Sequence, residues 1–114
     1  MILVACTRVA PQFWKQELRS GWTEIIHIPF PYVPAESSLR ELEEWGKQIA
    51  DQLMEALDEQ EGYITVEGAL ALTVMITRNI QVEKLAFPIK WQGKYIGWRT
   101  ANNEHKAIYK SERR

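Results

Sequence analysis

Metal ligands, disulfide partners and membrane-length apolar runs are what this sequence lacks. Of its 114 residues one is cysteine and two are histidine, so Cys6 has no internal partner and no zinc or iron–sulfur spacing exists. No metal and no cofactor is expected. No apolar run approaches the roughly 18 residues of a membrane span, and the N-terminus carries neither a basic region nor a small-residue cleavage site. A cytoplasmic protein with no membrane partner is the expectation. Neither GxGxxG nor a P-loop is present, which removes support for dinucleotide chemistry and nucleoside triphosphate hydrolysis. With no repeat or low-complexity linker, residues 1–114 read as one α/β domain, a core over 1–91 and a basic β-hairpin extension over 92–114.

What is present is an ordinary hydrophobic share of 46%, enough for a core without staples. The formal net charge of −1 conceals a split. Residues 1–77 hold five basic and twelve acidic side chains, net −7, whereas residues 78–114 hold nine and three, net +6. Such asymmetry points to an anionic partner or to mutual neutralisation of the two halves. With the total near zero, a small enclosed anion fits better than duplex DNA.

Ile2-Leu3-Val4-Ala5-Cys6 is an unbroken apolar run suited to a strand buried on both faces. Pro11, Phe13, Trp14 and Leu18 follow at helical spacing, and Gly21 is the stop. Thr23 to Ile28 reads as a second strand, with His27 as a hydrogen-bonded core or edge histidine. The segment Pro29-Phe30-Pro31-Tyr32-Val33-Pro34 is an ordered loop whose aromatics either seal the core or stack on a ligand.

Ser38-Leu39-Arg40-Glu41 matches a capping box. Behind it Leu39, Leu42, Ile49, Leu53, Ala56 and Leu57 mark one face of a long amphipathic helix, with ion pairs such as Glu43 to Lys47 on the other. Tyr63 to Val66 is a third strand. Ala69 to Ile76 is a helix apolar on all sides, which demands cover by the sheet and by something else, such as a second copy of the chain in a C2 dimer. Leu85 to Ile89 is a fourth strand, Lys94 to Arg99 a fifth, and Lys106 to Lys110 alternates behind them.

This order predicts a Rossmann-like three-layer fold: a mainly parallel sheet, three helices and a C-terminal antiparallel hairpin. In such sheets ligands sit beyond the carboxyl ends of the strands. Thr7 and Arg8 after the first strand offer a hydroxyl and a guanidinium fork to phosphate oxygens. Gly68 opens the third helix, whose first N–H groups suit an anion, or simply makes a tight turn. Cys6 is expected to be inert packing. Lys90-Trp91, Lys94-Tyr95 and Trp98-Arg99 interleave cations with aromatics, as single-stranded nucleic acids require, or form a half-buried hairpin.

Through Ala5-Cys6-Thr7-Arg8, the Trp14 helix, the run Val66-Glu67-Gly68-Ala69-Leu70-Ala71-Leu72-Thr73 and the compact C-terminal strands, the chain resembles the small standalone CRISPR-associated ring nucleases. These have a CARF-like, Rossmann-type fold. The resemblance implies a homodimer that binds a cyclic oligoadenylate, most commonly the four-adenylate ring, and cleaves it without metal. A ribose 2′-hydroxyl attacks its 3′-phosphate, leaves a 2′,3′-cyclic phosphate end and switches off type III antiviral signalling. It places Thr7 and Arg8 in the catalytic site and Gly68 and Thr73 beside the substrate; Lys90 is added to the catalytic set by position, and Ala69, Trp91 and Arg99 are added as expected substrate contacts. Where some relatives have Gly-Asp-Phe-Gly this chain has Gly68-Ala69-Leu70-Ala71, so that acid is missing. A non-catalytic cyclic-oligoadenylate sensor and a small α/β RNA-binding protein are the alternatives.

Overall fold

The computed structural model describes residues 1–102. Three parallel strands, β1 (Ile2–Thr7), β2 (Glu24–Pro29) and β3 (Gly62–Glu67), form a sheet of order β2-β1-β3. Their registers are aligned, Leu3 lying between Ile25 and Tyr63 and Thr7 between Pro29 and Glu67. β1 is central and β-branched or apolar along its length, as burial on both faces requires.

One face of the sheet is covered by α2 (Leu39–Leu57) and α3 (Leu70–Thr77). Val4, Cys6, Ile64 and Val66 point into this layer and meet Leu42, Ile49, Leu53, Leu72 and Ile76. The helices approach to backbone distance, because a Cβ added at Gly46 of α2 would stand 2.6 Å from the carbonyl carbon of Met75. The predicted capping box is formed in full: Ser38 Oγ accepts from the Glu41 N–H at 3.1 Å and Glu41 Oε1 from the Ser38 N–H at 2.8 Å. Two expectations for α2 change. Leu39 is exposed, since it sits in the first turn before the helix reaches the sheet. Glu43 turns across to Arg78 after α3, at 3.8 Å, instead of to Lys47.

The opposite face is covered by the short α1 (Gln16–Arg19) and by an antiparallel hairpin of β4 (Ala86–Trp91) and β5 (Lys94–Thr100). Here Leu3 and Tyr63 meet Leu18, Ala86 and Trp98, with Trp14, Trp22 and Tyr95 around them. The helix expected over Pro11 to Leu18 is two pieces, a 3-10 turn at Pro11–Phe13 and α1. Trp14 between them is extended, and its indole N–H donates to the Val9 carbonyl at 3.0 Å. That bond holds the ring against the chain that precedes it and prevents a continuous helix.

Leu85, the residue before β4, bridges to Ile64 of the parallel sheet, and β4 spends its own ladder on β5. Pro88 removes one ladder donor and a register shift at Ile89/Lys90 bends the strand, so the hairpin turns at Gln92 and Gly93 and begins before residue 92. The strand expected at Lys106 to Lys110 lies outside the described residues. Among those described, no helix is long and apolar enough to cross a membrane.

The proline-rich loop divides its aromatics. Phe30 is buried and lies where a Cβ on Gly68 would have to go, 2.3 Å from that position, whereas Tyr32 faces outward. On α3, Leu72 and Ile76 are buried while Leu70 is 77% exposed and Val74 49%. The sheet and α2 therefore cover only half of this all-apolar helix.

Candidate functional site

A cavity of about 320 Å³ opens beyond the carboxyl ends of β1 and β3, between them and the hairpin. This is where strand order changes direction, from β2 on one side of β1 to β3 on the other, and where an open α/β sheet leaves a crevice. Thr7, Thr65 and Glu67 form the sheet side; Trp14, Leu18, Pro88, Tyr95 and Trp98 wall it; Phe13 and Lys15 lie at its edge. Period-two alternation explains the sheet side. Thr7 and Glu67 are register partners, and Thr65 stands two residues before Glu67 on the same face.

The walls are fixed by hydrogen bonds. The Val9 carbonyl accepts from Thr7 Oγ1 at 2.8 Å and from Trp14 Nε1 at 3.0 Å. Trp98 Nε1 donates to the Leu18 carbonyl at 3.2 Å, tying the hairpin to α1. Trp14 and Trp98 meet at 6.1 Å between centroids with a tilt of 43°. These contacts hold an aromatic surface in place before any ligand arrives, which lowers the ordering cost of binding.

Arg8 and Glu67 join at the mouth. The Arg8 guanidinium donates to Glu67 Oε2 through Nη2 and, at 3.0 Å, through Nε; the Arg8 backbone N–H reaches Oε1 at 3.3 Å. The guanidinium beside it holds the Glu67 carboxyl below its ordinary range, so the group is a carboxylate at neutral pH. Both side chains are largely solvent-exposed, and a pair of this kind contributes little to stability. Its importance is chemical: the cation expected to face phosphate already has an anionic partner.

Thr7 and Arg8 thus stand where the sequence places them. Lys90 lies on the hairpin's inward register with Tyr95, its ammonium 5.0 Å from the Tyr95 ring centroid, next to the cavity wall. The other expected residues are elsewhere. Gly68 lies against the Phe30 ring, which fills the space a Cβ would need, and Ala69 is the exposed residue before α3. Thr73 belongs to α3 on the far side of the sheet, with its hydroxyl buried and unbonded among the described residues. Trp91, 55% exposed, and Arg99 sit on the hairpin face turned away from the cavity, because Phe87, the register partner of Arg99, alternates with Pro88.

Sequence reasoning passed over Thr65, Glu67 as a side chain, and Trp14 as a wall, and offered Tyr95 only as one of several aromatics that could stack on bases. A signal existed for two of them: Tyr63, Thr65 and Glu67 alternate with Ile64 and Val66, so the third strand has one aliphatic and one polar-edged face. Cys6 points into the helix-covered layer, where burial pushes its thiol up to about 11, and is chemically quiet. His27 Nε2 lies 3.0 Å from the Thr7 carbonyl; an oxygen that only accepts requires the proton on Nε2. Among the described residues no three His, Cys, Asp or Glu side chains gather as a metal site. No family model, curated protein or solved structure matches the chain.

Proposed function

We propose that the cavity holds one adenylate of a cyclic oligoadenylate and that two copies of the chain together cleave the ring. The carrying observation is the position of an aromatic-walled cavity at the carboxyl ends of β1 and β3 with Arg8 at its mouth. A volume of about 320 Å³ is near the lower end for small-molecule sites, roughly 300–1,000 Å³, and suits one base with its sugar. A ring of four needs more than one such cavity. The exposed Leu70 and Val74 of α3 supply apolar surface of the kind a C2 contact buries.

In this reading the 2′-hydroxyl attacks phosphorus, the bond to the 5′-oxygen breaks, and that oxygen leaves with a proton as the 2′,3′-cyclic phosphate closes. Arg8, released from Glu67 by the phosphate, and Lys90 face the developing charge. Thr7 positions, since its hydroxyl proton is spent on Val9. The test is incubation with cyclic tetra-adenylate in EDTA and separation of products. Cleavage slowed far more by Arg8→Ala than by Cys6→Ala is expected, because Cys6 lies on the other face of the sheet; an intact ring at stoichiometric protein refutes the reading.

One observation favours a sensor instead: Thr7 and Arg8 both have intramolecular partners, as a site that binds without turnover would. Thermal stabilisation by the ring without product is its signature. An RNA-binding hairpin is less well supported, since Trp98 and Tyr95 are turned inward to the core and cavity.

A further inference from the structure

We propose that the groove between the proline-rich loop and the start of α2 is a second binding surface, and that its occupant is an extended, proline-rich segment of another protein that carries arginine. This surface is independent of whatever the cavity beyond β1 and β3 holds, and the two share no lining residue.

The groove has a volume of about 500 Å³. Tyr32 and Pro34 line it from the loop and Leu42 and Trp45 from α2, with Glu41 and Glu44 beside them. The loop is stiff before anything binds. Pro31 and Pro34 fix two of its φ angles, the Ser37 N–H closes a turn on the Pro34 carbonyl at 3.1 Å, and the capping box ties Ser38 to Glu41. On this frame Phe30 fills the core while Tyr32 is held 84% exposed. Trp45 is half-buried, packed in part against the helix-side core. Rings held on a pre-ordered backbone offer contact area at little ordering cost.

The polar groups select the occupant. Among the described residues Tyr32, Glu44, Trp45 and Gln48 make no hydrogen bond or ion pair. The indole N–H, the phenol hydroxyl and the Gln48 amide are therefore donors in waiting, and the Glu44 carboxylate an acceptor. A polyproline II chain has carbonyls that nothing within it satisfies, and its prolines bring no N–H that needs an acceptor. Such chains dock in aromatic-lined grooves. The carboxylates then require a cation. Glu41 gives one oxygen to the Ser38 N–H and keeps the other, and a guanidinium pairs with a carboxylate while stacking on a neighbouring ring. Residues 36–48 carry four acidic and two basic side chains. The two basic ones, Arg40 and Lys47, stand a helical turn either side of Glu44, do not line the groove and pair with no carboxylate among the described residues. An acidic segment is repelled here.

A fluorescein-labelled peptide of proline-proline-arginine repeats sets its arginines along one side of a helix with three residues per turn, and serves as the probe in anisotropy titrations with the full chain. It should bind about tenfold or more tightly than a glycine-serine-arginine peptide of equal length and charge, and than its proline-proline-glutamate counterpart. Tyr32→Ala should weaken it about tenfold. E44Q should weaken it severalfold and flatten its dependence on salt. Both side chains are exposed, so both variants keep the fold, which circular dichroism checks. Equal binding of the glycine-serine-arginine peptide reduces the groove to a charged patch and overturns the proposal. No binding at all, or binding unchanged in both variants, overturns it too. Excess cyclic tetra-adenylate should leave the peptide bound; displacement refutes the independence of the two surfaces.

Discussion

The two faces of the parallel sheet are covered by different materials. On one, α2 and α3 bring aliphatic side chains and a glycine contact so close that backbones nearly touch. On the other, α1 and the hairpin bring tryptophans and a tyrosine that meet at tilted angles and leave about 320 Å³ unfilled. Branched aliphatic chains interdigitate to crystal-like density, whereas rigid rings anchored by their own N–H groups cannot adjust to fill every gap. One face makes the protein stable, and the other makes room.

Mutations that treat the faces alike should therefore behave differently. Leu53→Ala, at a fully buried position on the helix side, should cost the most, about 2–5 kcal/mol in urea unfolding. Gly46→Ala on the same helix should cost about 1–3 kcal/mol by overpacking, because the Met75 backbone that its Cβ meets belongs to a helix and cannot step aside. Trp98→Phe, which strands the Leu18 carbonyl beside an existing cavity, should cost about 1–2 kcal/mol. If Trp98→Phe proved as damaging as Leu53→Ala, the two faces would be equally packed and the contrast would fail.

The smallest effect concerns pH. The folded Glu67 carboxyl is held below its ordinary value of 4.5 by Arg8. A lowered folded value means that the pair's contribution is complete above the ordinary value and is lost as pH falls through the folded one. Melting temperatures of wild type and E67Q should thus differ slightly at neutral pH and converge in acid below 4.5.

How much of this was legible in the sequence follows the same division. The helix-covered side announces itself: Ile2 to Cys6, the capping box at Ser38 and the heptad-like face through Leu42, Ile49, Leu53 and Leu57 are periodic signals that depend on neighbours along the chain. The hairpin side depends on contacts between distant residues, Trp98 with Leu18 and Arg8 with Glu67, which no local pattern encodes. Thr7 and Arg8 could be placed at the end of β1 from the sequence because strand ends are marked by where apolar runs stop. Trp91 and Arg99 were misplaced relative to the cavity because a bulge at Ile89/Lys90 and the pairing of β4 with β5 decide which face of the hairpin looks inward. Glu43 chose Arg78 over Lys47 because α3 brought a partner from outside the helix.

Among the described residues, the bridge between Ile64 and Leu85, the residue before the hairpin ladder, is the one backbone pairing that links the parallel sheet to the hairpin segment. Amide protons of β1 and β3 are locked by a ladder that must unfold as a whole, whereas those of β4 and β5 answer to a separate ladder retained by side chains. Deuterium should enter the chain in two cooperative groups, the hairpin first. The hairpin can then loosen by giving up its side-chain packing and the Trp98–Leu18 hydrogen bond, while the backbone pairs of the central strand with β2 and β3 stay in place.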